Sequence, residues 1–441
     1  MTIILLQFLV VLAAIFIGAR MGGIGLGIFG MMGLAVLVFV FGLKPGQAPI
    51  DVMLMIIAVI SAASALQAAG GLDYLVKVAE KLLRKNPSAI TFLGPLVCYA
   101  FTFFAGTGHI AYSLLPIISE IATESKVRPE RPLSISVIAS QQAITASPIS
   151  AATAALLSTS LLGGQGISLA DILKICIPAT LIGVLAGAIV ANFIGKDLEK
   201  DPEYQKRLKR GDFNTKATQT TDTTENSAKP KTAVIIFLLG VLLVVLFGSF
   251  ESLRPVFNTG GETTRLNMPE VIEIVMMSIA GLILIFAKAD VGKAVKGNVF
   301  LAGMQAVIAI FGIAWMGDTF FQGNIEFFKT HIQDIVTQYS YLFAVALFVM
   351  SIFLFSQAAT VRTLYPLGIA LGLPPMALIA MFPAVNGYFF IPNYPTVVAA
   401  INFDRTGTTR IGKYILNHSF MIPGLVSTIV AILVGYLLIA I

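Results

Sequence analysis

The chain has 441 residues, of which 57% are hydrophobic and only 12% are charged, and its mean hydropathy is +0.88. An average soluble domain is about a quarter charged, so this composition excludes a soluble enzyme, a nucleic-acid-binding protein and a disordered chain. Apolar stretches of about 20 residues recur from end to end, and each is long enough to cross a hydrocarbon core. The sequence therefore predicts an all-α polytopic membrane protein.

The first half begins with simple apolar spans and an amphipathic stretch. In residues 71–85 (GLDYLVKVAEKLLRK) the apolar residues recur at helical spacing and the basic residues lie on the other side, which predicts a helix at the membrane surface. The simple spans are Ile3 to Ala19, Gly22 to Gly42, Asp51 to Ala69 and, further on, Ala170 to Ile194.

Two apolar segments of the first half are interrupted. Ala89 to Glu120 is cut at its middle by GTGH at 106–109, and each half is short for a crossing. Because basic residues flank both ends, we expect a re-entrant helical hairpin that enters and leaves on one side. Leu133 to Leu162 is broken at SPIS (147–150), so we expect a discontinuous helix there.

A polar linker separates two similar halves. Its composition, rich in Lys, Asp, Thr and Gln, predicts a flexible segment. The predicted domains are a first membrane repeat at 1–195, the cytoplasmic flexible linker at 196–231 and a second membrane repeat at 232–441. The second half contains spans at 232–250, 269–287, 299–316 and 420–441, an amphipathic stretch at 323–336, a hairpin broken at 356–360 and a discontinuous helix interrupted at 391–396.

Basic residues mark one side of the predicted topology. With the linker placed inside, 23 of the 29 Lys and Arg residues fall in inside loops and four in outside loops. Inside loops of membrane proteins carry such an excess of positive charge. The sequence therefore predicts that both termini are periplasmic and that the linker is cytoplasmic.

The order of elements before the linker recurs after it, which indicates an internal repeat. An odd number of crossings in the first copy makes the second copy inverted. Inverted repeats with discontinuous helices are the plan of many secondary transporters, whose site lies at the repeat interface. The matching positions pair Asp73 with Glu326, Pro116 with Pro366, Pro148 with Pro395 and Pro178 with Pro423, at offsets that drift smoothly from 253 to 245.

The interrupted segments carry the predicted binding site. A helix that begins inside the membrane presents N–H donors and a partial positive charge, so opposed hairpin tips suit an anion, especially a carboxylate. Acidic clusters are nearly absent from the spans, which makes a metal or cation site an unfavoured interpretation. The candidate residues are Gly106, Thr107, Gly108, His109, Ser147, Pro148, Ser150, Ser356, Gln357, Thr360, Arg362, Asn393, Pro395 and Thr396.

Several of these residues also have a purely structural interpretation. Gly106 and Gly108 suit close helix packing as well as a hairpin tip. His109 is either a satisfied core histidine, a carboxylate ligand or a proton carrier. Pro148 and Pro395 are the residues expected of a simple helix kink, although their matching positions in two copies favour a break at the site.

Arg362 is the one basic residue deep in the second hairpin. A charge at the centre of a membrane helix costs about 2.5–3.5 kcal/mol on insertion scales, so it needs an anionic partner or a watery cavity. A substrate carboxylate is the favoured partner, and snorkelling to the outer face is the alternative. Asp318 and Asn386 are weaker site candidates.

The same segments resemble the Dcu family of anaerobic four-carbon-dicarboxylate transporters over essentially the whole chain. The GTGH and RPERP motifs resemble most the branch that exchanges fumarate for succinate. The strings that carry the resemblance are GARMGGIGLG, GGLDYLVKVAEKLLRKNP, AGTGHIAYSLLPII, RPERP, ASPIS, FSQAAT, IPNYPT and FDRTGTTRIGKYILNHSFMIPG.

The resemblance implies a bacterial inner-membrane antiporter of fumarate, malate or aspartate against succinate, with proton-coupled uptake as a second mode. It implies an elevator-type architecture of the ion-transporter superfamily, no cofactor and no enzymatic activity. The expected partners are the dicarboxylate substrates, the lipid bilayer, further copies in a homo-oligomer and a membrane sensor kinase, for which the segment around Asp404 and Arg405 is a candidate surface.

Three alternatives remain open beside this interpretation. The first is a carrier of monocarboxylates or amino acids. The second is a transporter-derived co-sensor subunit of a membrane kinase, which would bind without transporting. The third is an intramembrane enzyme, which the absence of HExxH, GxSxG and P-loop strings disfavours.

Overall fold

The computed structural model describes residues 2–210, 228–259 and 262–441, which are mostly helical. Before the linker the helices are α1 (Thr2–Met21), α2 (Gly25–Phe39), α3 (Ile50–Ala68), α4 (Gly71–Lys85), α5 (Ile90–Ala105), α6 (Ala111–Glu124), α7 (Glu130–Ala146), α8 (Ala151–Leu156) and α9 (Leu169–Asn192). Within the linker lies α10 (Pro202–Arg210).

The second half is also built mainly of helices. Its helices are α11 (Ala228–Ser249), α12 (Met268–Phe286), α13 (Val291–Lys296), α14 (Asn298–Ala309), α15 (Trp315–Gly323), α16 (Ile325–Gln338), α17 (Tyr341–Leu354), α18 (Gln357–Ala370), α19 (Pro375–Ala380), α20 (Pro395–Phe403) and α21 (Met421–Ala440). A π-helical segment, Ile310–Ala314, joins α14 to α15, and a 3₁₀ segment, Phe382–Phe389, extends α19. Two short antiparallel strands, β1 (Val256–Thr259) and β2 (Glu262–Arg265), follow α11.

In the part of the chain that is described, eight helices are long and apolar enough to cross a membrane. Large apolar side chains stay exposed on these helices, as on Ile285 at 67% and Leu433 at 57%. In a water-soluble protein such a surface would be unstable, whereas lipid tails accept it. The predicted polytopic character is therefore supported, although α2 is shorter than the span predicted for it.

Each predicted hairpin is a pair of helices whose open ends lie together. Arg84, at the end of α4 and just before α5, donates to Glu120 at 2.8 Å and to Glu124 at 3.1 Å near the end of α6. In the second pair, Phe343 near the start of α17 lies against Gly368 near the end of α18. The chain therefore turns back on itself between the two arms of each pair.

Both predicted discontinuous helices are interrupted where the sequence indicated. The helix α7 ends at Ala146, and α8 begins at Ala151 after the SPIS segment. The extended α19 ends at Phe389, and α20 begins at Pro395. Proline fits the first turn of a helix because it lacks the N–H that would be unpaired there.

The two halves pack reciprocally. The helix α3 of the first half packs on α12 of the second half, and α15 of the second half packs on α2 of the first. The second arm of the first hairpin, α6, packs on α20, the helix that follows the break in the second half. The second arm of the second hairpin, α18, packs on α8, the helix that follows the break in the first half. The helices α9 and α21, which carry the paired prolines Pro178 and Pro423, form the most extensive helix pair.

The helix α2 reaches α14 and α15 through glycines. A Cβ at Gly27 would lie 2.1 Å from the carbonyl oxygen of Ile308, and a Cβ at Gly312 would lie 1.8 Å from the carbonyl oxygen of Gly27. These are backbone atoms, which cannot rotate away. The absence of side chains at these positions therefore sets the spacing of this helix pair.

The linker contains more structure than its composition predicted. Arg128 lies between two carboxylates, and its Nε donates to Glu130 at 2.5 Å while its Nη1 donates to Asp201 at 2.6 Å. Asp201 also accepts the backbone N–H groups of Glu203 and Tyr204, which caps α10. Residues 202–210 of the predicted flexible linker are therefore helical, residues 211–227 lie outside the described residues, and the flexibility of the linker stays a prediction.

Asp201 is ionised in this setting. Burial by itself raises the pKa of the Asp201 carboxyl, but the hydrogen bonds from Arg128 and from the backbone of α10 outweigh it, so the pKa lies below its ordinary value. The charge of Asp201 thus holds α10 on the start of α7 at neutral pH.

We expect Asp201→Asn to loosen α10, because the amide keeps the helix cap but loses the charge that faces Arg128. Hydrogen bonds to charged groups contribute about 1.5–3 kcal/mol, and docking of α10 should weaken by about that amount. Tryptic cleavage at the basic residues of α10 measures this as a faster rate. Asp197→Asn is the control, because Asp197 is an exposed carboxylate just before the same helix. Equal cleavage rates in the two variants would contradict the role given to Asp201.

Candidate functional site

The two hairpin tips have the same local geometry. At the first tip, Gly106 takes a left-handed conformation with φ +69°, and the extended Thr107 accepts the His109 N–H through its hydroxyl. At the second tip, Phe355 is left-handed with φ +50°, and the extended Ser356 accepts the Ala359 N–H at 3.2 Å. A left-handed non-glycine residue costs about 1–2 kcal/mol, so the packing around the second tip must hold Phe355 in place.

Each tip packs on a break of a discontinuous helix. A Cβ at Gly106 would lie 2.9 Å from the carbonyl oxygen of Ile149, so the first tip lies directly against the SPIS segment. At the second tip the ring of Phe355 stacks on Tyr394, with ring centroids 6.1 Å apart. The breaks are therefore brought to the tips, as the sequence predicted for a shared site.

A cavity of about 390 Å³ lies where these elements meet. One wall is formed by α1, α2, α3 and α14, and the other by the tips and the breaks. No Lys, Arg, Asp or Glu occurs among the described residues that line it. The predicted site residues that line it are Gly106, Thr107, Gly108, His109, Ser356, Gln357, Asn393 and Pro395.

Four helical segments begin at the cavity wall. Their first residues are Gly108 before α6, Ala151 of α8, Gln357 of α18 and Pro395 of α20. The start of a helix presents N–H groups without intrahelical partners and a partial positive charge. Four helix starts that converge on a cavity without Lys, Arg, Asp or Glu in its described lining favour an anion over a cation.

A network of buried side-chain amides connects the tips to the discontinuous helices. Gln357 Nε2 donates to Gln141 Oε1 at 2.9 Å and to Asn386 Oδ1 at 3.2 Å. Asn386 Nδ2 donates to Gln142 at 3.2 Å, and Gln142 Nε2 donates to Thr428 at 3.0 Å. Such networks are strong when every member is satisfied, because the surroundings have a low dielectric constant.

Gln141 also touches the first tip. A Cβ at Gly108 would lie 2.6 Å from Gln141 Nε2, so the backbone of this tip rests on the amide. Gln141 therefore contacts both tips at once. The sequence analysis did not include Gln141 and Gln142 among the site residues. Two adjacent glutamines inside an apolar span, shortly before a break, would have indicated them.

Other predicted site residues lie beside the cavity and not in its wall. Ser147 donates to the carbonyl oxygen of Phe103 at 2.7 Å, and Ser150 donates to that of Ile144 at 2.6 Å. Ser147 therefore ties the break to the end of α5, and Ser150 satisfies a carbonyl of α7 itself. Pro148, Thr360 and Thr396 are likewise absent from the cavity wall, and their roles in binding stay predictions.

Arg362 points away from the cavity. Its Nη1 donates to Ser158 at 3.0 Å and to Ser160 at 2.6 Å, in the segment after α8. The residue is 5% exposed, so it does not reach the surface as snorkelling would require. The hydroxyls are partners that the sequence did not predict, and a role as counter-charge for a substrate stays a prediction.

Comparison with known proteins assigns the family. A family model described as an anaerobic C4-dicarboxylate membrane transporter matches residues 3–441. The chain belongs to this family. The C4-dicarboxylate transporter family is not enzymatic, so the prediction that the chain is not an enzyme is confirmed.

Relatives within the family are similar over almost their whole length. The C4-dicarboxylate transporter DcuA of Wolinella succinogenes is 44% identical over 98% of each chain, and DcuA of Escherichia coli is 44% identical over 99% of each. The anaerobic C4-dicarboxylate transporter DcuB of Escherichia coli O157:H7 is 41% identical over 98% of this chain and 97% of its own. These values do not separate the two branches, so the predicted branch stays a prediction.

A solved structure has a similar fold. The structure of Neisseria gonorrhoeae MtrF, described as illuminating a class of antimetabolite efflux pumps, superposes with a TM-score of 0.52. The match covers 92% of this chain and 84% of that chain at 13% identity. At this identity the likeness concerns the fold alone.

Proposed function

We propose that this C4-dicarboxylate transporter exchanges fumarate, malate or aspartate against succinate across the bacterial inner membrane. The observation that carries the proposal is the uncharged cavity at which four helix starts converge. Such a site stabilises a carboxylate through N–H donors and helix dipoles. Two tips that line the same cavity, each with its own polar groups, suit an elongated anion with a carboxylate at each end.

The ligands in this proposal come from both tips and one break. Thr107 and His109 would hold one end of the dicarboxylate, and Ser356 with Asn393 would hold the other. Gln141 and Gln357 would position the tips through their shared hydrogen bond. This arrangement distinguishes a dicarboxylate from a monocarboxylate or a neutral amino acid, which would leave one set of donors unpaired.

Alternating access would follow an elevator motion of two inverted repeats. The reciprocal packing of the halves and the matching tip geometry support the inverted repeat. One group would contain α1–α3, α11, α12, α14 and α15, and would stay fixed. The hairpins, the discontinuous helices, α9 and α21 would move as the other group, and the cavity lies between the groups.

Exchange of one dicarboxylate for another is expected if the carrier with an empty site has a higher free energy during the crossing than the carrier with a bound anion. Donors at the tips that lack a partner in a low-dielectric site destabilise the moving state, so the loaded carrier crosses more easily than the empty one. Proton-coupled uptake would require a group that carries a proton together with the anion, and His109 is the candidate.

The topology in this proposal is both termini periplasmic and the linker cytoplasmic. The basic loops after α4, α6 and α9 meet on one face, where Arg84 pairs with Glu120 and Arg131 donates to the carbonyl oxygen of Ile194. Clustering of predicted inside loops on one face supports the orientation. A homo-oligomer and a sensor-kinase partner remain expectations from the family resemblance.

Counterflow in proteoliposomes tests the proposal. Vesicles that contain the purified protein and labelled succinate should release the label when fumarate is added outside, and should retain it when buffer alone is added. Acetate and neutral amino acids should release far less. Failure of external fumarate to release succinate would contradict exchange, and release by acetate at a similar rate would favour the monocarboxylate alternative.

A further inference from the structure

A second cleft, of about 640 Å³, opens on the face that carries the linker. It lies between α10 and the loop that follows α20, and we call it the linker cleft. Three arginines line it, Arg207 from the linker helix and Arg405 and Arg410 from the loop. The cleft therefore brings together side chains from two segments that are almost 200 residues apart.

The linker cleft has an excess of positive charge. Arg207 pairs with Glu203 at 2.9 Å, whereas Arg405 and Arg410 form no ion pair among the described residues. Asp404 is the acidic residue of the lining, and its two oxygens already accept hydrogen bonds from the loop, from Thr406 on one side and Thr408 and Thr409 on the other. Two guanidinium groups therefore lack a counter-ion.

Thr409 adds a donor without a partner. The residue is 1% exposed, its backbone N–H donates to Asp404, and its hydroxyl finds no hydrogen-bond partner within residues 2–210, 228–259 and 262–441. A buried hydroxyl without a partner is costly. A ligand with oxygen acceptors in the linker cleft would satisfy it.

Arg207 holds the two walls of the cleft in a fixed relation. Its Nη1 donates to the carbonyl oxygen of Arg405 at 3.0 Å, and its guanidinium lies against Gly407, where a Cβ would be 2.4 Å from Cζ. Gly407 has φ +74°, so both its conformation and its lack of a side chain are needed for this contact. The cleft is thus formed without a ligand.

We propose that the linker cleft binds a phosphate-bearing anion. Guanidinium groups match phosphate oxygens through paired N–H donors, and a phosphate group accepts more hydrogen bonds than a single carboxylate. The source is either the headgroup of an anionic phospholipid or a free phosphate-bearing solute. Bound anion would join α10 to the loop after α20, and so tie the linker to the membrane part of the protein.

Binding of inorganic pyrophosphate to the full-length protein tests this site. The protein is placed in phosphatidylcholine nanodiscs with saturating succinate, so that the transport cavity is occupied, and pyrophosphate is titrated at constant ionic strength. We expect saturable binding below about 1 mM, weakened at least about tenfold by Arg405→Gln with Arg410→Gln. Lys413→Gln is the control, because Lys413 is a basic residue of the same loop outside the cleft.

Thr409→Val gives an independent variant. It keeps the shape of the buried side chain and the backbone bond to Asp404, and removes only the unpartnered hydroxyl. We expect thermal unfolding at the same or a slightly higher temperature, because a costly buried hydroxyl is removed, and a several-fold lower affinity. Absence of saturable binding up to about 10 mM, equal affinity in the arginine and Lys413 variants, or displacement of pyrophosphate by succinate would overturn the proposal.

A second experiment identifies the source of the phosphate group. In nanodiscs of phosphatidylglycerol, lower apparent affinity for pyrophosphate than in phosphatidylcholine would indicate that a lipid headgroup occupies the cleft. Equal affinity in both lipids would indicate a free solute. Both results retain the linker cleft as the binding site, and neither depends on whether the protein exchanges dicarboxylates.

Discussion

Gln141→Leu should lower the rate of dicarboxylate exchange by about tenfold to 100-fold. Gln141 accepts the Gln357 amide at 2.9 Å and supports the backbone of Gly108, so it links the two hairpin tips. Leucine fills a similar volume but cannot accept this hydrogen bond. It also places an apolar group against the buried amides of the network. Leaving a buried donor without its partner costs about 1–3 kcal/mol, and each 1.4 kcal/mol corresponds to about tenfold.

Gln7→Leu is the matched control for this variant. Gln7 is also a buried glutamine, and its Oε1 accepts the Asn324 amide at 2.8 Å, far from the tips. Both variants lose one buried amide pair, so both should lose some thermal stability. Only Gln141→Leu should lower the initial rate of labelled succinate efflux per folded molecule. Equal loss of transport in the two variants would show that the effect comes from stability and not from tip positioning.

Gly312→Ala should prevent stable folding. A Cβ at this position would lie 1.8 Å from the carbonyl oxygen of Gly27, and both groups belong to helices that are packed on several sides. Overpacking a core costs about 1–3 kcal/mol when side chains can adjust, and here backbone atoms would have to separate. We expect a loss above that range, measured as a fall in the unfolding temperature or in the yield of monodisperse protein in detergent.

Gly281→Ala is the control, because the same glycine-to-alanine change at this position should not destabilise the protein. Gly281 lies inside α12, and a Cβ there would meet no atom within 4 Å. Alanine is favoured over glycine in a helix by about 1 kcal/mol, so this variant should be as stable as the original protein or slightly more stable. If both alanine variants behave alike, the close approach of α2 to the π-helical segment is not what limits stability.

Much of the fold could be predicted because interruptions in an apolar sequence have local causes. Glycine, serine and proline inside a hydrophobic run stop a helix wherever the run lies, so the breaks near Gly106, Ser147, Ser356 and Pro395 were visible in the sequence. The amphipathic pattern of α4 was equally local. The order of these elements and their recurrence after the linker followed from the same reading.

The site could be predicted only in part, because a sequence does not say toward which neighbour a polar side chain points. Ser147 and Ser150 are predicted to face a ligand, and the structure shows their hydroxyls donating to the carbonyl oxygens of Phe103 and Ile144, so their part in binding stays a prediction. Arg362 donates to Ser158 and Ser160, partners that the sequence does not indicate, and its role toward a substrate stays a prediction. These partners are set by packing between segments distant in the chain.

The membrane class, the positions of the broken helices and the resemblance to the dicarboxylate transporter family can be inferred from the amino-acid sequence, since composition and helix-stopping residues act locally. The contact of Gln141 with both tips and the docking of α10 through Arg128 become visible in the folded chain. Each of these depends on a hydrogen bond between groups far apart in the chain, such as the 216 residues that separate Gln141 from Gln357. Its formation is fixed by helix packing, because a buried donor takes the acceptor that the neighbouring helix brings to it.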